Sequence, residues 1–181
     1  MILGVIPARL NSTRFPSKVI FPLKGKPIIE HVYEKALQSN LLNKVIVAVD
    51  SEETKNVINC QNIIMTSDKH QSGTDRVAEV ANNFNCDIVV NIQGDEPGID
   101  PLLIDKLIQL FEDPDVEMAS IASTDLKEDD LNNDNVVKVN LDKENNAISF
   151  IRNNLNPEST YYRHIGTVSY THLTLPTTPY V

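Results

Sequence analysis

Short apolar segments alternate with amphipathic ones over the first 112 residues of the chain. The apolar segments, typical of strands buried on both faces of a sheet, are residues 2–7, 44–50, 63–66 and 87–93. The segments with helical spacing or helix-start signals are residues 27–39, a stretch from Ser51, 74–84 and 101–112. Four such alternations predict right-handed crossovers and a Rossmann-like α/β fold, with a mostly parallel central sheet and helices on both faces.

Beyond residue 115 the pattern becomes less regular. Residues 118–123 and 136–141 are predicted strands, and the acidic stretch 125–134 lies between them. The carboxylates of this stretch lack the glycine and the spacing of a calcium-binding loop. It is therefore predicted to be a solvated loop without a metal.

Composition and charge narrow the possible functions. The chain has 181 residues, of which 41% are hydrophobic and 23% charged, as expected for one globular domain or a fragment of a larger one. Its formal charge of -9 argues against a protein that binds nucleic acid over its whole surface. The N-terminal apolar run is too short for a signal peptide or a membrane span, so we expect a cytoplasmic protein with no membrane partner.

The positive charge is concentrated at the start of the chain. Residues 1–29 contain five cations and no carboxylate, because the first acidic residue is Glu30. Such a basic region in an otherwise acidic protein indicates a site for a compact anion, such as a phosphorylated small molecule. The two cysteines, Cys60 and Cys86, lack the spacing of a zinc site and are expected to be reduced thiols.

Candidate ligands follow the predicted strands, where a doubly wound sheet binds its substrates. Arg9, Arg14 and Lys18 come after the first strand, and Ser72, Gly73 and Thr74 would begin a helix. The segment 93–97 follows the fourth predicted strand and carries two carboxylates.

These residue types suit phosphoryl or nucleotidyl transfer. Fixed cations offset the charge of a polyphosphate, and Asp95 or Glu96 at a strand end can hold Mg²⁺ while phosphate oxygens complete its coordination. Each feature also has a plainer interpretation: the cations can be solvated, Asp95 can cap a helix, and His70 can be an ordinary loop residue. Neither a G-x-G-x-x-G nor a Walker motif is present.

Five motifs, taken together, closely resemble the 3-deoxy-manno-octulosonate cytidylyltransferase (CMP-Kdo synthetase) family. They are Ile6-Pro-Ala-Arg9 continuing through residues 12–18, His70-Gln-Ser-Gly-Thr-Asp-Arg76, Gln93-Gly-Asp-Glu-Pro97, Asn135-Val-Val-Lys138-Val and Arg163-His-Ile-Gly166. The resemblance covers residues 1–166 and implies a nucleotide-diphospho-sugar transferase fold. It also implies that the anomeric hydroxyl of Kdo attacks the α-phosphorus of CTP in the presence of Mg²⁺, giving CMP-Kdo and pyrophosphate for lipopolysaccharide synthesis.

The resemblance also assigns roles to individual residues. The triphosphate clamp would be Arg9, Arg14 and Lys18. The cytosine and ribose pocket would be Ala8, Ser72, Gly73 and Arg76. Asp95 would be a magnesium ligand, and the sugar-acid side would be Gln93, Glu96, Arg163 and His164.

The C-terminal part departs from the family pattern. Family members are longer and continue with an oligomerisation segment and a late aspartate that completes the metal site, and Val168 stands where they have a tyrosine. Residues 168–177 read like the translation of a sequencing-library adapter. We therefore expect an incomplete cytidylyltransferase domain at 1–166, a non-native tail at 167–181, and a parent protein that is a homodimer.

Two alternative functions stay open at this point. One is a cytidylyltransferase for another acidic sugar, such as a sialic acid, which the residues after Ile6-Pro-Ala-Arg9 disfavour. The other is a noncatalytic CTP-binding fragment, because this chain lacks the second metal ligand of the family.

Overall fold

The computed structural model describes residues 1–10 and 17–171. The chain divides into two compact units. The first contains residues 1–119 and the segment from Thr167, and the second contains residues 120–166.

The elements alternate as the sequence predicts. In chain order the strands are β1 (Ile2–Ala8), β2 (Pro22–Leu23), β3 (Lys26–Pro27), β4 (Lys44–Val49), β5 (Ile63–Met65), β6 (Ile88–Asn91), β7 (Met118–Ser123), β8 (Lys138–Leu141), β9 (Ala147–Ile151) and β10 (Tyr161–Tyr170). The α-helices are α1 (Ile28–Ala36), α2 (Glu52–Val57), α3 (Gly73–Ala81), α4 (Pro101–Gln109) and α5 (Glu128–Leu131). The described residues also contain two 3₁₀ turns, Lys18–Ile20 and Leu110–Glu112.

The first unit is built on a parallel sheet, as predicted. Its strands lie in the order β5-β4-β1-β6, and all three pairings among them are parallel. Residues 168–170 of β10 add an antiparallel strand beside β6. The β1 residues Leu3, Val5 and Ile6 are completely buried, which explains why this strand reads as a continuous apolar run.

Local capping explains where the helices begin. The Ser51 side chain accepts a hydrogen bond from the Thr54 amide, and Ser72 forms a reciprocal capping box with Asp75. Asp100 caps α4, whose first residue is Pro101. Because these side chains satisfy amide groups that have no helical partner, each of the three helices starts within a residue or two of its predicted position.

The second unit corrects the prediction for the acidic stretch. Residues 128–131 form the short helix α5, where a loop was predicted. A local hydrogen bond stabilises the start of this helix, because the Lys127 backbone amide donates to the Asp130 carboxylate at 3.2 Å. In the same unit β10 pairs antiparallel with β8, and β8 pairs with β9.

Two further predictions concern the ends of the chain and the membrane. Residues 167–170, which we expected to belong to a non-native tail, lie in β10, whereas residues 172–181 fall outside the described residues. The origin of that segment stays a prediction. Within the part of the chain that the structure describes, no helix is long and apolar enough to cross a lipid bilayer.

Candidate active site

Two loops of the first unit meet at Pro7, near the carboxyl end of β1, and a third loop lies beside one of them. A Cβ atom added to Gly94 would lie 2.9 Å from the carbonyl oxygen of Pro7, and one added to Gly73 would lie 3.3 Å from the Pro7 side chain. The loop after β6 also lies close to the turn at Lys18–Ile20, since a Cβ atom added to Gly94 would be 3.6 Å from Val19. The parallel register therefore gathers the three predicted ligand segments at one edge of the sheet.

Lys18 and Asp95 form the most direct contact between two of these loops. The Lys18 ammonium lies 2.6 Å from a carboxylate oxygen of Asp95, although the residues are 77 positions apart. Both side chains keep about two fifths of their surface exposed, at 42% and 41%. The pair therefore combines a cation for phosphate and a carboxylate for a metal within reach of solvent.

The other predicted clamp residues are only partly described. Ala8 is fully buried as the last residue of β1, and Arg9 follows it at the surface. The Arg9 guanidinium lies 3.5 Å from the carbonyl oxygen of Gln71, in the loop before α3. Arg14, the third predicted cation, lies outside the described residues.

The start of α3 offers backbone amides next to Pro7. Ser72 is exposed, but its hydroxyl already donates to Asp75 at 2.7 Å and accepts from the Asp75 amide at 3.1 Å. An anion approaching this helix N-terminus would therefore meet the Asp75 carboxylate as well as the amide groups. Gly73 is the first helical residue and lets the helix approach β1 closely.

Arg76, which we predicted to line the nucleotide pocket, has a buried guanidinium. Its side chain is 2% exposed and contacts the carboxylate of Asp50 at 3.1 Å. The same guanidinium donates to the Thr66 hydroxyl, and to the Ser67 carbonyl at 3.2 Å. The structure therefore places Arg76 beneath the loops, where its donors are used by protein groups.

The loop before α3 is also held by Glu79 on the same helix. The Glu79 carboxylate accepts the Ser67 amide at 3.0 Å and contacts the His70 ring. The hydrogen bond from Ser67 lowers the pKa of Glu79, burial opposes it, and His70 lowers it further. His70 is thus engaged in shaping the loop.

Gln93 and Glu96 lie in the turn that presents Asp95. Both residues are half-buried, and the Glu96 amide donates to the Gln93 carbonyl at 3.3 Å. The turn closes next to Gly94, which is buried against β1.

The donor set at this edge fits a magnesium ion that arrives with phosphate. Mg²⁺ is usually bound by one or two carboxylates, with substrate phosphates and water completing an octahedron. Asp95 provides one accessible carboxylate of this type. Among residues 1–10 and 17–171, no three His, Cys, Asp or Glu side chains are grouped to hold a metal without a substrate.

The remaining predicted residues, Arg163 and His164, belong to the second unit. Arg163 lies 3.5 Å from the Asp130 carboxylate of α5. The His164 ring is hydrogen-bonded to the Ser120 hydroxyl at 2.6 Å and meets the Phe150 ring edge-on at 4.9 Å. Burial lowers the pKa of His164, which favours the neutral imidazole.

The sequence predictions missed three residues that hold these side chains in place. Asp50 pairs with Arg76, Asp130 with Arg163, and Ser120 with His164. Only Asp50 carried a usable signal, because it is an acidic residue directly after a buried strand. Asp130 is one of several carboxylates in its stretch, and nothing local distinguishes it.

The comparisons with known proteins agree on one family. A family model described as "Cytidylyltransferase" matches residues 3–172. A curated relative from Pelobacter propionicus, named 3-deoxy-manno-octulosonate cytidylyltransferase, is 43% identical over 157 residues, covering 85% of this chain and 62% of the relative. One from Geobacter sulfurreducens with the same name is 39% identical over 188 residues, covering 93% of this chain and 75% of the relative. The chain thus spans 62% of the length of the Pelobacter relative.

Solved structures give the same result for the fold. The structure titled as CMP:2-keto-3-deoxy-manno-octonic acid synthetase complexed with CTP matches with a TM-score of 0.85 at 34% identity, covering 94% of this chain and 73% of that one. A cytidylyltransferase from Leptospira borgpetersenii matches with a TM-score of 0.57 at 22% identity, covering 68% and 53%, and shares the fold.

Proposed function

The chain belongs to the cytidylyltransferase family, and on that premise we propose that the whole protein couples CTP to 3-deoxy-D-manno-octulosonate, giving CMP-Kdo and pyrophosphate for lipopolysaccharide synthesis. The observation that carries this proposal is the contact between Lys18 and Asp95, which brings a cation and a carboxylate together where the loops after β1 and β6 meet. The names of the curated relatives support the choice of substrates.

In the proposed reaction the anomeric hydroxyl oxygen of the sugar bonds to the α-phosphorus of CTP. The bond between that phosphorus and the bridging oxygen of the β-phosphate breaks, so pyrophosphate leaves with the electron pair and the hydroxyl proton passes to solvent. The protein needs no covalent nucleophile, because positioning and charge stabilisation supply most of the catalysis in such transfers.

Lys18 and Arg9 would stabilise the negative charge that develops on the phosphates, together with Arg14. Asp95 would hold Mg²⁺, which neutralises phosphate charge and orients the leaving group when it is bound. Since Lys18 and Asp95 contact each other, Lys18 would leave Asp95 to bind the triphosphate, and the Asp95 carboxylate would then be available to hold the metal.

The remaining assignments follow the same proposal. Ala8, Ser72 and Gly73 would contact the nucleoside, and Gln93 and Glu96 would face the sugar. Arg163 suits the sugar carboxylate because its planar fork matches two oxygens, and neutral His164 would donate or accept a hydrogen bond there. The reaction would be cytoplasmic, with small-molecule substrates, no membrane or nucleic-acid partner, and a homodimeric whole protein.

The test is pyrophosphate release by the whole protein with CTP, Mg²⁺ and either Kdo or a sialic acid. We expect pyrophosphate to be released with Kdo and not with the sialic acid. A preference for the sialic acid would contradict the assigned sugar. Lys18→Ala and Asp95→Ala should each lower kcat by about 30- to 1000-fold, corresponding to about 2–4 kcal/mol.

Lys24→Ala provides the matched control. It removes the same charge from the same basic segment, but Lys24 is exposed in the β2–β3 connection. It should keep wild-type turnover. Full turnover in Asp95→Ala would contradict the metal assignment, and CTP binding in calorimetry without any turnover would favour a noncatalytic nucleotide-binding protein.

A further inference from the structure

Asp50 and Arg76 form a buried ion pair beneath the candidate site. Their side chains are 10% and 2% exposed, and the carboxylate and guanidinium are 3.1 Å apart. Transferring two charges out of water is costly unless hydrogen bonds satisfy the remaining donors and acceptors. Here the guanidinium also donates to Thr66 and Ser67, so the pair is part of a connected network.

The second oxygen of Asp50 connects this pair to the loop after β1. It accepts a hydrogen bond from the Leu10 amide at 3.1 Å, directly after Arg9. The Leu10 carbonyl in turn accepts the Ser17 amide at 2.9 Å, directly before Lys18. Leu10 therefore holds Ser17 through its carbonyl group and is itself held by Asp50 through its amide group.

The same network reaches the loop before α3. The Thr66 hydroxyl, which accepts from Arg76, donates to the Val49 carbonyl at 2.9 Å. The buried guanidinium of Arg76 points at Asp50, Thr66 and Ser67, so its hydrogen bonds go to these protein groups and not towards a ligand. A rigid planar group with several fixed donors sets the relative position of the segments that it joins.

From these contacts we infer that Asp50 and Arg76 are positioning residues, which act on CTP only through the loops that carry Arg9 and Lys18. This inference rests on the proposed function for its catalytic consequence. It replaces the direct nucleotide contact that the sequence motif assigned to Arg76. Misplacing a catalytic group by about 1 Å can lower turnover about a hundredfold, so a residue that contacts no substrate can still control the rate.

The test uses Asp50→Asn and Arg76→Lys. Asp50→Asn keeps the shape but offers only one carbonyl oxygen, and Arg76→Lys keeps the charge but loses the fork. We expect amide hydrogen exchange of Leu10, measured in the full 181-residue chain without ligand, to accelerate about five- to tenfold. In the whole protein, kcat should fall about ten- to a hundredfold while KM for the sugar changes little.

Asp105→Asn is the matched control. Asp105 is another buried carboxylate, and it holds Asn40 and Leu41 before the start of β4, away from Leu10. This variant should lose stability while Leu10 exchange and kcat stay at wild-type values. If Arg76→Lys does not fold, Asp50→Asn alone still carries the test.

The possible outcomes separate this inference from the proposed function. Unchanged amide exchange of Leu10 in both variants would overturn the positioning role. If Arg76→Lys also lost CTP binding while Leu10 exchange stayed unchanged, direct contact between Arg76 and the nucleotide would be the better explanation. Faster Leu10 exchange in the variants would support the anchoring network even if the wild-type protein released no pyrophosphate. That second result would contradict only the proposed reaction.

Discussion

Gly94 is the position where the candidate site and the sheet constrain each other most closely. An alanine Cβ at Gly94 would lie 2.9 Å from the Pro7 carbonyl oxygen, a separation that real Cβ atoms essentially never show. The carbonyl belongs to β1, where Pro7 is in register with Ala48 of β4, so it cannot turn aside freely. We therefore expect Gly94→Ala to displace the turn that carries Asp95.

The size of the effect follows from two opposing contributions. Forcing an extra methyl group into a packed site costs about 1–3 kcal/mol. Replacing glycine by alanine also restricts the unfolded chain, which stabilises the folded state by about 0.4–1 kcal/mol where alanine fits. Gly98, in the same loop, has no atom within 4 Å of its added Cβ, so Gly98→Ala should show only the second contribution.

The difference between the two variants isolates the steric cost at Pro7, because the effect on the unfolded chain cancels. Thermal unfolding should place Gly94→Ala below Gly98→Ala by about 2–12 °C, at about 2–4 °C per kcal/mol for a chain of this size. CTP affinity should fall in Gly94→Ala and stay near wild type in Gly98→Ala. Equal midpoints in the two variants would refute the packing argument.

Two further predictions concern ionisable groups. Burial, the largest influence, raises the pKa of Asp105, but hydrogen bonds from Ser39, Asn40 and Leu41 outweigh it, so the pKa lies below its ordinary value. Asp105→Asn should lower the free energy of unfolding, measured in urea at pH 7, by about 2–4 kcal/mol. The difference from the wild type should shrink below about pH 4, as the wild-type carboxylate gains its proton. A difference that stays constant with pH would count against this account. Burial, together with the nearby charges of Glu30 and Glu34, raises the pKa of the Cys60 thiol to about 12. Alkylation of Cys60 at pH 8 should therefore be at least about tenfold slower in the folded protein than in the urea-unfolded protein, and equal rates would contradict this prediction.

The sequence predicts the parallel core and the location of the site because both depend on short-range patterns. Apolar runs buried on both faces identify β1 and β4, and the serine caps identify the starts of α2 and α3. Once strands and helices alternate, the loops after the strands must meet at one edge of the sheet. The contacts around Pro7 confirm that the loops of residues 73 and 94 do so.

Pairings between distant side chains are harder to predict from the same information. The pattern places Lys18 and several carboxylates near one edge, but the choice of Asp95 as the partner of Lys18 depends on a tertiary contact between residues 77 positions apart. In the second unit, α5 forms within an acidic stretch whose composition is typical of a loop. Its Asp130 approaches Arg163 through a tertiary contact, which local propensity does not encode.

Arg76 shows how helical geometry could have refined a motif-based assignment. Within α3, residues four positions apart lie on the same face, so Arg76 shares its face with the buried Val80. Ser72 and Gly73, by contrast, lie at the end of the helix that meets Pro7. The motif that spans these residues therefore combines two structural roles, which differ by position along the helix: its first residues begin α3 beside Pro7, and its arginine, one turn further on, is buried against Asp50.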